Sequence, residues 1–270
     1  MTFTISIILY LLTGSIAGIL AGLLGIGGGA IVVPALAYIF LKSGMPTEHI
    51  MHLAIGTSLT AMIFTSLFST QSHHKFARVE WNVVKKFVPG IIIGVILGAL
   101  FSTKLPTHTL TIIFGIYLLF IAIQMFFKKD KKENISQNKP FLKESNATMA
   151  GGGVLIGLLS GLLGVGGGTL TVPFLTYLGK SMHKAIGTSA ACGFFITIVG
   201  TISFILLSTH ASNLPKGTIG YIYLPAALGI TLMSSICAPI GSKISGSLSP
   251  KILSKCFSIL LMAVALKMLI

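Results

Sequence analysis

The chain has 270 residues, 53% of them hydrophobic and only 9% charged, with a mean hydropathy of +0.94. A soluble domain of this size needs roughly 25% charged residues to cover its surface, so the composition excludes one and points to a polytopic membrane protein. The net charge of +14 does not indicate nucleic acid, because the basic residues lie in short links between apolar segments and not in a basic, aromatic-interleaved domain.

Ten apolar segments follow one another, five in each half. In the first half they cover 4–24, 30–41, 50–70, 83–102 and 107–127; in the second, 147–164, 169–179, 185–207, 218–241 and 251–270. Several approach the ~20 residues that a membrane-spanning helix needs, so the expected fold is all-α. The first segment has no positive n-region and no small-residue cleavage site, and reads as a membrane segment, not a signal peptide. Residues 128–145 are polar and lysine-rich and read as a solvated linker. The chain therefore divides into a first transmembrane repeat (1–127), a cytoplasmic linker (128–146) and a second repeat (147–270).

The halves are copies of one another. GILAGLLGIGGGAIVVPAL (18–36) and GLLSGLLGVGGGTLTVPFL (157–175) agree at twelve of nineteen positions with an offset of 139. MHLAIGTS (51–58) and MHKAIGTS (182–189) agree at seven of eight, and Pro89 and Pro225 open an apolar segment in each half. Such self-similarity marks a duplicated unit. Five segments per unit is an odd number, so consecutive copies face opposite ways. With the linker in the cytosol, fifteen basic residues fall inside, and only Lys42, Lys104, Lys216 and Lys267 fall outside. The positive-inside rule then predicts both termini outside. Residues 30–41 would span only ~18 Å as a helix, against ~30 Å of hydrocarbon. The first two segments of each repeat are thus expected to form a re-entrant or broken hairpin, for eight to ten membrane segments in all.

The glycine run carries the chemistry. Gly25-Ile26-Gly27-Gly28-Gly29-Ala30 formally matches a dinucleotide fingerprint, with Glu48 downstream, but that motif requires a preceding strand and a βαβ unit. A lipid-type helix precedes it instead, and the second copy ends in Thr169. In a membrane, irregular backbone survives where it is buried in protein or lines a cavity. A helix starting after the glycines, at Ala30 or Thr169, offers unpaired N–H groups and positive dipole potential, and successive glycine N–H groups form an anion nest. Two opposed helix breaks are a pointer to a transporter's substrate site. The candidate anion-binding residues are Gly25, Gly27, Gly28, Gly29 and Ala30 with Gly164, Gly166, Gly167, Gly168 and Thr169. The alternative is that these glycines only permit close helix packing. Thr57, Ser58, Thr188 and Ser189 add uncharged hydroxyl donors, unless they bond back to their own helix.

His52 and His183 match across the repeat and are candidates for carrying a coupling proton; the alternative is an interfacial histidine. His73 and His74 read as solvated loop residues. The five carboxylates are Glu48, Glu80, Asp130, Glu133 and Glu144, and none lies mid-segment. That distribution argues against cation transport, and no Ser/His/Asp or paired-carboxylate set suggests an enzyme. Cys192, Cys237 and Cys256 lack metal-ligand spacing and read as free buried thiols. No metal or cofactor is expected.

The repeated GLLGxGGGxxxVPxL and AIGTS motifs, together with the last segment, resemble the sulfite exporter TauE/SafE family of membrane permeases over essentially the whole chain. The resemblance implies a bacterial or archaeal inner-membrane protein moving sulfur-containing anions such as sulfite, sulfoacetate or aryl sulfonates. Two readings follow. One is a permease for such an anion, working by alternating access of the two halves, with the anion and membrane lipid as partners. The other is a membrane enzyme or assembly factor handling a sulfur metabolite, with Cys192 as its reactive group. Neither reading assigns an oligomeric state.

Overall fold

The computed structural model describes residues 2–24, 27–127, 145–208, 213–244 and 250–269. Its helices are α1 (Phe3–Leu24), α2 (Gly29–Lys42), α3 (Ile50–Lys75), α4 (Trp81–Lys104), α5 (Thr107–Phe126), α6 (Asn146–Leu163), α7 (Gly168–Tyr177), α8 (Met182–Leu206), α9 (Leu224–Ile244) and α10 (Pro250–Leu269). Among the described residues, seven are long and apolar enough to cross a membrane. They are long because nothing interrupts them: the apolar runs lack charge until their ends, and there turns or caps take over. Ser145, for example, caps α6 by accepting the Thr148 N–H at 3.1 Å, which satisfies one of the orphan donors of the first turn. The short helices are α2 and α7, with 14 and 10 residues, or ~21 and ~15 Å. Each contains a proline, Pro34 or Pro173, which removes an internal hydrogen bond.

The packing respects the duplication. α1 lies against α9, and α6, its counterpart, against α4; α3 packs on both α8 and α9, and α8 on both α3 and α4. α2 packs on α3 as α7 does on α8, and α5 pairs with α10. Exchanging the halves maps this set of pairings onto itself. α3 and α8 form the centre and carry the most buried helical residues.

Two ends of the bundle are defined by contacts. At one, the Tyr223 N–H at the start of α9 meets Thr57 near the start of α3, and Lys267 lies 4.3 Å from the Tyr38 ring centre. At the other, the Glu80 N–H at the start of α4 meets Thr188 near the start of α8. Helices α1 and α2 form a hairpin that returns to the first end, where α3 begins. Helices α6 and α7 form a hairpin that returns to the second, where α8 begins.

The closest helix pairs use glycine stripes that the sequence reading passed over. Gly14, Gly18 and Gly22 of α1 press on the α9 backbone, and Gly90, Gly94 and Gly98 of α4 on that of α6. A Cβ at Gly14 or Gly18 would stand 2.6 Å from the carbonyl oxygen of Ile230 or Ser234, too close for any side chain. In lipid, helices associate through this kind of close contact because hydrophobic exclusion no longer drives them together. The i, i+4, i+8 spacing was visible in the sequence.

Three boundaries differ from expectation. The apolar stretch 218–241 is not one segment, because β1 (Thr218–Ile219) and β2 (Ile222–Tyr223) pair as an antiparallel hairpin before α9. Gly217 and Gly220 take left-handed φ of 87° and 58°, a conformation that glycine adopts without strain. Helix α3 runs on to Lys75, since Gln71 and Ser72 are polar without breaking a helix. His73 is therefore a helical residue, 1% exposed, and not a solvated loop residue; His74 is exposed and accepts the Trp81 indole N–H at 3.2 Å. The second repeat opens at Asn146, while residues 128–144 of the linker lie outside the described residues.

Candidate functional site

The glycine runs form two turns that touch at the centre of the bundle. Gly28 and Gly167 cap α2 and α7 at φ of 77° and 71°, and Gly27 and Gly164 have φ of 79° and 68°. An L side chain in this left-handed region costs roughly 1–2 kcal/mol. The other glycines are required by contact. A Cβ at Gly29 would lie 2.6 Å from the Gly164 carbonyl oxygen. Cβ atoms at Gly27 and Gly166 would lie 3.0 and 3.2 Å from the other residue's Cα. Turn geometry and close approach thus explain much of each run, so the packing alternative holds a real share. Gly25 lies outside the described residues.

The helices begin at Gly29 and Gly168, one residue before Ala30 and Thr169. Gly28 O accepts the N–H groups of Ile31 and Val32, and Gly167 O those of Leu170 and Thr171. Among the described residues, the N–H groups of Gly168 and Thr169 take no backbone acceptor, as the first turn of a helix dictates. The Thr169 hydroxyl meets the Tyr117 phenol from α5, a partner that sequence spacing could not supply.

Beside the two turns is a cavity lined by Gly27, Gly166 and Ala21, by Met62, Thr65, Ser66 and Ser69 of α3, and by Ser189, Ala190, Gly193 and Thr197 of α8. It holds about the volume of one water molecule, and among the described residues no charged side chain lines it. Ser66 and Thr197 occupy matching positions of the repeat and face each other with hydroxyl oxygens 3.5 Å apart. These hydroxyls were missed from sequence. The available signal was the helical face that continues from Ser58 through Thr65, Ser66 and Ser69.

Of the four motif hydroxyls, only Ser189 reaches the cavity. Ser58 Oγ donates to Gly164 O at 3.1 Å and ties α3 to the second glycine turn. Thr57 Oγ1 accepts the Tyr223 N–H at 2.9 Å, and Thr188 Oγ1 accepts the Glu80 N–H at 3.0 Å. The two threonines are matched latches that hold the starts of α9 and α4. Neither histidine candidate lines the cavity. His52 is buried, with Nε2 within 3.2 Å of Ser102 O and 3.1 Å of Leu105 O and its ring stacked on Tyr221; His183 is exposed at the other end. Cys192 is free and wholly buried but does not line the cavity.

Around the start of α8, Glu80 pairs with Lys180 at 2.9 Å and Lys184 at 3.0 Å. Burial pushes the Glu80 carboxyl upward, but the two ammonium groups outweigh it and hold the group below the usual carboxylate range.

The profile of the family described as "Sulfite exporter TauE/SafE" matches residues 10–268. A probable membrane transporter protein of Haemophilus influenzae is 37% identical over 262 residues, covering 97% of each chain. One from Methanocaldococcus jannaschii is 30% identical over 269 residues, covering 99% of this chain and 97% of its own. No solved structure matches. A helical bundle with long apolar helices and two matched glycine breaks, paired with a family match across nearly the whole chain, leads to one conclusion: this multi-pass membrane protein belongs to the sulfite exporter TauE/SafE family.

Proposed function

We propose that the protein is a permease for a small sulfur-containing anion, sulfite or an organosulfonate such as sulfoacetate, and not an enzyme. The observation that carries this reading is the meeting of the two glycine turns beside a cavity lined by hydroxyls and, among the described residues, without a carboxylate. Backbone N–H groups at helix starts recognise anions, and hydroxyls add neutral donors; the substrate-binding set is Gly25, Gly27, Gly28, Gly29 and Ala30 with Gly164, Gly166, Gly167, Gly168 and Thr169, together with Ser189 and the newly found Ser66 and Thr197. The two hairpins return to opposite ends, which we read as an inverted-topology repeat, with transport by alternating access of the two halves. The names of the related probable transporters support the class.

Orientation follows from charge. Lys75, Arg78, Lys180 and Lys184 gather at the end where α4 and α8 begin, which we assign to the cytoplasm of an inner membrane, leaving both termini outside. His52 and His183 would then lie near opposite faces, as proton-coupling candidates outside the binding site. The test is flux of labelled sulfite, sulfoacetate, sulfate and small carboxylates in proteoliposomes. The reading predicts flux of at least one sulfur anion above empty vesicles. Cation movement without any anion flux would refute it, and substrate turnover abolished by thiol alkylation would favour the enzyme.

A further inference from the structure

The pseudo-symmetry of the bundle is broken at its two ends in a way that bears on anion passage. The match is residue by residue. The Thr57–Tyr223 latch corresponds to Thr188–Glu80. A Cβ at Gly56 would meet the backbone of Tyr221, and one at its counterpart Gly187 the backbone of Arg78. Tyr221 thus corresponds to Arg78, and the 131-residue offset between MHLAIGTS (51–58) and MHKAIGTS (182–189) pairs Phe204 with His73 and Gly200 with Ser69.

The two sets have opposite character. At the Tyr223 end, Phe204 is wholly buried against Tyr221, with ring centres 6.3 Å apart, and the Leu59 side chain closes over Gly200. This is an apolar plug. At the Glu80 end the same positions are polar, and although the Arg78 guanidinium lies 5.0 Å from the Phe76 ring centre, buried polar atoms there lack hydrogen-bond partners among the described residues. Ser69 lines the central cavity, and its buried Oγ has no hydrogen-bond partner among the described residues. His73 lies one turn further along α3 and is 1% exposed, and neither ring nitrogen makes a hydrogen bond among the described residues; the Gly22 carbonyl lies beside the ring without completing one. Arg78 donates its backbone N–H to His73 O at 3.0 Å, and its buried Nη1 also has no hydrogen-bond partner among the described residues. The nearby carboxylate, Glu80, is occupied by Lys180 and Lys184.

Leaving buried donors unpaired costs ~1–3 kcal/mol each, more for a charged group. Four unpaired atoms lead from the cavity to one end, three of them donors (the Ser69 hydroxyl, one ring N–H of His73 and the Arg78 Nη1), the arrangement of a site whose ligand supplies the acceptors. We propose that Ser69, His73 and Arg78 form a docking station for a small oxyanion between the central cavity and the Glu80 end, and that the matching positions at the Tyr223 end, Gly200, Phe204 and Tyr221, form none, although His52 Nδ1 and Ser102 Oγ at that end also lack a hydrogen-bond partner among the described residues. Arg78, the sole arginine of the chain, supplies the planar fork suited to oxyanions. The proposal rests on the permease reading and adds a direction to it: the two faces present unequal anion affinity.

The test uses the full-length protein in oriented proteoliposomes, with labelled sulfite and sulfoacetate as probes offered separately to each face. The variants are Arg78→Gln, Arg78→Lys and His73→Phe, the last installing the residue that the fold already buries at the matching position. Melting temperatures confirm that each variant is folded. The expected result is at least a tenfold rise in KM from the Glu80 face for Arg78→Gln and His73→Phe. From the opposite face the rise is under twofold, and Arg78→Lys recovers much of the loss. Folded variants with unchanged KM at both faces, or with equal changes at both, overturn the station while leaving the permease reading in place. Absence of flux in the wild type overturns the permease reading, and the station falls with it. A lipid phosphate offers similar oxygens. KM values equal in phosphatidylcholine and phosphatidylglycerol vesicles support the soluble anion, and loss of the Arg78 effect in phosphatidylglycerol assigns the site to a headgroup and refutes the proposal.

Discussion

Replacing Gly28 by alanine separates the two reasons for glycine at the centre of this bundle, when it is compared with the same change at Gly44. Both residues are left-handed, at φ of 77° and 74°. Around Gly44 nothing lies within 4 Å of the place a methyl would take, whereas a methyl on Gly28 would lie 3.1 Å from the Ala17 carbonyl oxygen and 3.2 Å from its Cβ. Gly44→Ala incurs the left-handed penalty of roughly 1–2 kcal/mol, offset by about 0.4–1 kcal/mol of reduced unfolded-state freedom. The net loss is about 1 kcal/mol. Gly28→Ala adds overpacking of about 1–3 kcal/mol against backbone that cannot swing aside. At roughly 2–4 °C per kcal/mol for a chain of this size, the expected drops in apparent melting temperature are about 3 °C and about 6–12 °C. Circular dichroism at 222 nm in detergent, at one fixed scan rate, measures both. If the two variants melt together, the close approach of Ala17 contributes nothing and the packed turn is wrong. If Gly44→Ala melts with the wild type, the left-handed penalty has been misjudged. The same geometry means that valine at Gly28 or Gly167 perturbs folding as well as any binding there, so alanine at Ser66 or Thr197 probes the proposed anion site more cleanly.

Other outcomes follow from single contacts. Thr57→Val and Thr188→Val each keep the side-chain shape but remove the acceptor of a backbone N–H at the start of α9 or α4. Each should lower stability by about 1–3 kcal/mol in a denaturation series, and a neutral result in both would remove the latch. Gly94→Ala should destabilise because its methyl meets the α6 backbone. Gly151→Ala, which meets nothing within 4 Å, should stabilise by up to ~1 kcal/mol through helix propensity; thermal melts of the pair decide whether the glycine stripe or mere helicity governs. The depressed Glu80 carboxyl contributes stability that is fully present above the ordinary carboxylate range and is lost as pH falls through its lower folded value. Glu80→Gln should therefore flatten the melting temperature between pH 5 and pH 3 on the scale of ordinary carboxylate titration, and an unchanged acid slope would rule the pairing out as its source.

Hydropathy, the offset of 139 and the two shared motifs already contained the membrane class, the duplication and the hairpin character of the first two segments. These are readable because lipid requires long uninterrupted apolar helices, and because a repeat shows itself by identity without any knowledge of contacts. The glycine turns were legible as breaks, since clustered glycine contradicts helix propensity wherever it falls. Their mutual contact at Gly27 and Gly166 was not, because it joins residues 139 apart through the packing of α1, α2, α6 and α7. Nor could spacing tell that Thr57 and Thr188 hold helix starts while Ser66, Ser69 and Thr197 line the cavity, since hydroxyls on one helix differ only in which neighbour they meet. His73 shows the limit most clearly. Beside His74 and Lys75 it looks solvated, but α3 runs five residues past its apolar stretch and buries the ring near α1. Local composition determined which segments are helical and apolar. Only the assembled bundle decided which polar groups inside it have partners, because a hydrogen bond is satisfied by whatever the fold brings opposite, and that is set by contacts distant in the chain.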